Sequence, residues 1–121
     1  MGNRELLLQR LAATVRPDEA RVPAFVLTNP DVYQLELEKL FQRAWLFLAH
    51  ESELSEPGDF VSREMGEQPV IVSRAEDGSI HALLNVCRHR AMRVVRTDQG
   101  NARRFTCPYH GFTYALSLIH I

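Results

Sequence analysis

The sequence predicts a mainly β fold, in which antiparallel sheets carry two ligand-bearing loops and short helices precede the sheets. Three observations indicate this class. From Pro57 onward, short segments rich in β-favouring residues alternate with glycine-containing turns. In the first 44 residues, apolar residues recur at helical spacing instead. Finally, two segments that contain cysteine and histidine each follow a predicted strand.

Two helices are predicted before the sheets. Apolar residues at helical spacing indicate a short amphipathic helix over residues 4–14, which Pro17 ends. This helix is either a subunit-contact arm or packed on its own domain. The second helix begins at Asn29, a favourable N-cap, and Pro30 suits its first helical position. The face expected to pack in the core comprises Tyr33, Leu37, Leu40, Phe41 and Ala44.

Strands are predicted for the rest of the chain. After Pro57 they cover residues 59–63, 69–74, 80–86, 103–106 and 112–115. The Glu76-Asp77-Gly78 segment predicts a tight hairpin turn between the second and third of these strands. The dense apolar segment 45–48 is expected to form a further, buried strand.

The most informative motif consists of two short loops of mixed ligands. Cys87-Arg88-His89 and Cys107-Pro108-Tyr109-His110 are separated by seventeen residues, and each supplies one thiolate and one imidazole. Zinc sites with two cysteines and two histidines usually group the cysteines on one element and the histidines on another. The mixed order suits a site with two different metal ions side by side. A zinc-binding module remains an alternative.

These loops, with Arg90 after the first and Gly111-Phe112 after the second, resemble the Rieske motif of aromatic-ring-hydroxylating dioxygenases. Residues 45–53 and 57–60 resemble the large (α) subunits of that family. The resemblance covers roughly residues 21–115. Many relatives have glycine in place of Ala91 and tryptophan in place of Phe112; neither difference removes a ligand.

The resemblance implies a Rieske iron–sulfur domain with a 2Fe-2S cluster. Cys87 and Cys107 would bind one iron, and His89 and His110 the other. Electrons would arrive from a ferredoxin or reductase and pass to a mononuclear Fe(II) in a C-terminal domain that this chain lacks. The chain would therefore contain no catalytic residues, while the whole protein would contact neighbouring α subunits and an aromatic substrate. A free Rieske-type ferredoxin is a second alternative.

The resemblance also divides the chain. Residues 1–43 would form an N-terminal helical arm and residues 44–115 a truncated Rieske domain. Residues 116–121 match the translation of a transposase-end adapter used in DNA library preparation, so we hypothesise that they are non-native; a native apolar strand is the alternative.

Composition and charge limit the partners and the compartment. The 45% hydrophobic and 24% charged residues are typical of one soluble globular domain. The net charge of −1 gives no support for a nucleic-acid or membrane partner. Only two cysteines are present, and ligation by both leaves none for a disulfide, so a cytoplasmic protein is expected.

Further basic and imidazole side chains are candidates for supporting roles. Six arginines near the ligands would offset cluster charge, dock an acidic ferredoxin or form an ordinary solvated face: Arg88, Arg90, Arg93, Arg96, Arg103 and Arg104. His50 and His81 are expected to be structural or exposed rather than ligands, and His120 belongs to the doubtful tail.

Overall fold

The computed structural model describes residues 2–117. It divides into two compact units, Met1–Ala44 and Trp45–Ile121. The last four tail residues, which include His120, therefore lie outside the described part of the chain. Between residues 2 and 117, no helix is long and apolar enough to cross a membrane.

The first unit is helical, as the sequence predicts. It contains α1 (Asn3–Ala12), α2 (Phe25–Thr28), α3 (Pro30–Glu36) and a π-helical turn (Leu37–Phe41). The predicted start of α3 is confirmed, because the Asn29 side chain accepts hydrogen bonds from the backbone N–H groups of Asp31 and Val32 at 2.8 and 3.3 Å. Helix α1 ends two residues before the predicted boundary, and none of its residues is buried.

The predicted core face of α3 is largely wrong. The buried residues are Val32, Leu35 and Leu37, whereas Tyr33 and Leu40 are exposed. Leu37 is thus the only buried member of the predicted face, with Phe41 half-buried and Ala44 exposed. From Leu37 onward, the wider π-helical turn changes the angular spacing of the side chains, so a face extrapolated at 3.6 residues per turn does not hold for Leu40 and Ala44. The exposure of Tyr33, which precedes this turn, has no such explanation.

The second unit is built on two antiparallel sheets. The four-stranded sheet has the order β3-β2-β1-β4, and the other sheet pairs β5 with β6. The strands are β1 (Asp59–Met65), β2 (Gln68–Arg74), β3 (Ile80–Leu84), β4 (Gln99–Asn101), β5 (Phe105–Thr106) and β6 (Thr113–Tyr114). The predicted hairpin between β2 and β3 is confirmed, with Gly78 at φ +84° in its turn.

Strand β4 is absent from the sequence prediction. Its central residue is Gly100, opposite Phe60 of β1. A Cβ atom on Gly100 would lie 2.8 Å from the Phe60 ring, so the ring occupies the space that a side chain would need. The strand therefore depends on a close approach of backbone to ring rather than on β propensity.

The expected buried strand at residues 45–48 is wrong. This segment has no regular secondary structure, and Trp45 is fully exposed. Phe47 is exposed as well, while Leu46 and Leu48 are half-buried. The segment buries one side only, and a dense apolar sequence becomes a buried strand only where both sides are covered.

The core of the second unit lies on both faces of the four-stranded sheet. One face packs Phe60, Ile71, Ala75, Leu83, Val95, Phe105 and Leu116 together. The other packs Leu54, Val61, Val70 and Val72. The fully buried Ser73 hydroxyl donates a hydrogen bond to the Leu116 carbonyl at 2.8 Å, which fixes the chain just beyond β6.

Candidate metal centre

The two predicted ligand loops have the same backbone hydrogen bonds. In the first, the Cys87 carbonyl accepts from Ala91 N–H at 2.9 Å and Cys87 N–H donates to the Met92 carbonyl at 2.8 Å. In the second, the Cys107 carbonyl accepts from Gly111 N–H at 3.0 Å and Cys107 N–H donates to Phe112 at 2.8 Å. Each cysteine is therefore held at the start of an equivalent tight turn that follows a strand.

The fifth position of each turn requires a left-handed backbone. Gly111 has φ +76°, and the equivalent Ala91 has φ +56°. Ala91 is the only non-glycine residue with positive φ in the described chain. A Cβ atom makes this conformation costly, so the first loop carries backbone strain that the second avoids.

The thiols and the imidazoles form two separate pairs. Cys87 and Cys107 are 3% and 2% exposed, whereas His89 and His110 are both exposed. The centroids of the two imidazole rings are 4.7 Å apart, with their planes at 74°. The loops thus present a sulfur pair toward the interior and a nitrogen pair toward the surface.

Tyr114 of β6 supports the sulfur pair. Its hydroxyl accepts a hydrogen bond from Arg88 N–H at 3.0 Å and lies 3.1 Å from Cys87 Sγ. In the contact between Tyr114 and Cys87, either the hydroxyl or the thiol can donate the hydrogen. This hydrogen bond lowers the pKa of the Cys87 thiol, and a backbone N–H at His89 acts in the same direction against the effect of burial. Burial, and then the bond to Cys87, raise the pKa of Tyr114.

Aromatic rings flank both imidazoles. The Phe112 ring is nearly parallel to the His89 ring, with 7° between planes and 4.9 Å between centroids. The Tyr109 ring lies 3.9 Å from the His110 ring at 44°. Together with the contact between the imidazoles, this produces a continuous row of four rings. The sequence analysis notes Phe112 only as a difference from relatives, and it predicts neither of these ring contacts.

Asn85 clamps the first loop onto β3, a role that the sequence analysis misses. This buried side chain donates to the Val95 carbonyl at 2.7 Å and accepts from the N–H groups of Val94 and Val95 at 3.0 and 2.8 Å. The signal in the sequence is a lone asparagine between apolar residues at a strand end, since a buried amide must find partners.

The other candidate side chains have local contacts. His50 accepts a hydrogen bond at Nδ1 from Ser52 N–H at 3.3 Å and caps a 3₁₀ turn at Glu51–Glu53. His81 Nε2 lies 2.7 Å from the Ser79 hydroxyl. Both contacts agree with the expected structural roles. Of the six arginines, Arg93 forms an exposed ion pair with Glu64 at 2.7 Å.

The donor set fits a two-iron cluster better than a single ion. Within residues 2–117, no three or more histidine, cysteine or acidic side chains are arranged around one metal position. A tetrahedral zinc ion needs four ligands around a single point. A Rieske cluster instead takes two thiolates on one iron and two imidazoles on the other. The observed pairing of sulfur with sulfur and nitrogen with nitrogen matches that requirement.

Comparison with known proteins gives consistent matches. The sequence matches benzene 1,2-dioxygenase subunit alpha of Pseudomonas putida with 52% identity over 94 residues, which is 78% of this chain and 21% of that protein. Biphenyl 2,3-dioxygenase subunit alpha of Rhodococcus jostii is 44% identical over 86% of this chain and 23% of its own length. The chain thus spans about a fifth of the curated relatives it matches.

The fold has a similar match among solved structures. A Rhodococcus naphthalene 1,2-dioxygenase bound to indole superposes with a TM-score of 0.81 and 44% identity, covering 99% of this chain and 28% of that chain. This supports the predicted mainly β Rieske fold. The Rieske [2Fe-2S] domain profile matches residues 44–118, more than half of the sequence. The chain therefore belongs to the Rieske [2Fe-2S] domain family.

Proposed function

We propose that Cys87, His89, Cys107 and His110 hold a Rieske 2Fe-2S cluster, with the cysteines on one iron and the histidines on the other. The observation that carries the proposal is the segregation of donors into a buried thiol pair and an exposed imidazole pair with ring centroids 4.7 Å apart. When bound, the cluster supplies one-electron transfer. Met92 and Phe112 carbonyls hold the two cysteine N–H groups, and Tyr114 holds the Cys87 sulfur.

The whole protein that contains this domain is, in our proposal, an aromatic-ring-hydroxylating dioxygenase. Its relatives are α subunits of benzene and biphenyl dioxygenases, which supports an oxidoreductase of aromatic catabolism. The domain would pass electrons from a ferredoxin or reductase to a mononuclear Fe(II) outside this chain. The exposed imidazole edges provide the exit for the electron, because they are the part of the site nearest the surface.

The donor protein would dock on the arginine-rich side of the loops. Arg88 and Arg90 are exposed and adjoin the His89 ligand. Cationic side chains beside the site favour an acidic electron carrier by accelerating encounter. Charge reversal of both residues should reduce the rate of electron uptake from an acidic ferredoxin, with the largest effect at low ionic strength.

We also propose roles for the N-terminal residues 1–43 and for the tail at residues 116–121. We assign residues 1–43 to an N-terminal helical arm whose helix α1 is a subunit contact, and residues 44–115 to the electron-relay domain. Helix α1 supports the first assignment because it leaves Leu6 and Leu8 exposed and buries none of its residues. The hypothesis of a non-native segment 116–121 is to be tested by sequencing the gene beyond the Ala115 codon.

Iron and acid-labile sulfide analysis, with the visible spectrum, tests the cluster assignment. We expect two iron and two sulfide per chain and a brown-red protein. A colourless protein that contains one zinc per chain would refute the proposal and favour the zinc module.

A further inference from the structure

The two imidazoles differ in how their faces are covered. The nearly parallel Phe112 ring covers one face of the His89 ring, and its 4.9 Å centroid separation is that of an offset stack. His110 contacts the edge of His89 and the tilted ring of Tyr109. Phe112 is half-buried, whereas Tyr109 is exposed. Only His89 thus has a face held by a stacked and partly buried aromatic ring.

We propose that Phe112 is a positioning residue for His89: its ring fixes the plane of that imidazole and keeps water from one of its faces. This inference rests on the proposed cluster. The orientation follows from the stack, since rotation of the imidazole about its Cβ–Cγ bond would turn its plane into the Phe112 ring. Phe112 is itself fixed from both sides of the loop, because its carbonyl accepts from Cys107 N–H at 2.8 Å and strand β6 begins at the next residue.

Shielding by Phe112 affects the stability of the reduced state. Two ferric ions, two sulfides, two thiolates and two neutral imidazoles carry no net charge, and uptake of one electron gives −1. Water around an imidazole ligand stabilises the more charged state. Loss of the Phe112 ring therefore favours reduction and raises the midpoint potential.

Four variants separate this role from general packing. Phe112→Ala removes both the stack and the shield, Phe112→Leu keeps apolar volume without a stack, and Phe112→Trp restores a planar ring. Phe60→Leu is the matched control, because it removes a core ring that packs against Phe105 at 5.3 Å rather than against an imidazole. Each cluster-loaded chain is measured by redox titration and by pulsed EPR of the imidazole nitrogens.

We expect Phe112→Ala to shift the equilibrium of one-electron reduction at least threefold toward the reduced state. Since a tenfold change corresponds to about 59 mV, the midpoint potential should rise by at least about 28 mV. Phe112→Ala and Phe112→Leu should broaden or shift the nitrogen couplings of one imidazole, while Phe112→Trp and Phe60→Leu keep the original couplings. Loss of the cluster from Phe112→Ala but not from Phe60→Leu would also support positioning.

The inference would be overturned if Phe112→Ala and Phe112→Leu both kept the nitrogen couplings and the midpoint potential of the parent chain. It would also be overturned if Phe60→Leu changed these quantities as much as the Phe112 variants do. Those results would leave the proposed function intact. A parent chain that binds no 2Fe-2S cluster would instead refute the proposed function, and the inference with it.

Discussion

Ala91→Gly should stabilise the domain by releasing strain in the first ligand loop. Ala91 is exposed at φ +56°, so its methyl group gains little from packing. A non-glycine residue in this region costs about 1–2 kcal/mol. Glycine also makes the unfolded chain more flexible, which opposes this gain by about 0.4–1 kcal/mol. The net expectation is a gain of about 0.5–1 kcal/mol in the free energy of unfolding.

The second loop offers the reverse experiment. Gly111 has φ +76°, and a Cβ atom there would meet no atom within 4 Å. Gly111→Ala therefore isolates the backbone cost and should destabilise by about 0.5–1 kcal/mol. Gly2→Ala is the control, because it adds the same methyl group at φ −74°. Alanine is a poorer N-cap than glycine, but it restricts the unfolded chain by about 0.4–1 kcal/mol, so the two effects oppose each other and the net change should be small.

Urea unfolding of the metal-free chains, followed by circular dichroism, measures these differences without the coupled loss of a cluster. Thermal midpoints should move by a few degrees in the same directions. Destabilisation by Ala91→Gly, or no effect of Gly111→Ala, would show that the loops are not equivalent in the way their hydrogen bonds indicate.

Three further results are expected. Asn101→Ala should raise the pKa of Asp59, which a 2.9 Å hydrogen bond from the Asn101 amide holds below its usual value; NMR titration would measure it. Because the pKa of Asp59 is lower in the folded state, its carboxylate stabilises the fold above about pH 3.9, and this stabilisation is lost as the pH falls through the folded pKa. An unchanged pKa of Asp59 in Asn101→Ala would contradict the role given to this hydrogen bond. The midpoint potential of the cluster should lie near the low end of the Rieske range of roughly −150 to +300 mV. Respiratory Rieske proteins have a serine hydrogen-bond donor where this chain has Phe112, and without that donor the reduced state is less favoured, although Tyr114 is retained. A midpoint well above about +100 mV would count against this prediction. The purified chain should oxidise no aromatic substrate with ferredoxin, reductase, NADH and added ferrous iron, and a cis-diol product formed by this chain alone would disprove that expectation.

The sequence predicts the parts of the fold that residue type determines. Gly78 marks the hairpin turn, Asn29 and Pro30 mark the start of α3, and the mixed order of cysteine and histidine marks the candidate metal centre. Each of these signals depends on residue type, because particular residues favour a backbone conformation or can bind a metal. They can therefore be recognised without knowledge of contacts between distant parts of the chain.

The remaining features depend on partners far along the chain. Strand β4 exists because Gly100 leaves room for the Phe60 ring, and the stack on His89 comes from Phe112 of the other loop. The Asn85 clamp joins segments ten residues apart. The failed strand at residues 45–48 has the same origin, since hydrophobicity does not specify whether both sides of a segment are covered.

The most direct test of the account is cluster content after removal of single ligands. Cys87→Ala, His89→Ala, Cys107→Ala and His110→Ala should each abolish the 2Fe-2S cluster, because one iron then loses one of its two protein ligands. The matched histidine controls, His50→Ala and His81→Ala, should retain two iron and two sulfide per chain. Normal iron and sulfide content in Cys107→Ala, with an unchanged visible spectrum, would contradict the central claim.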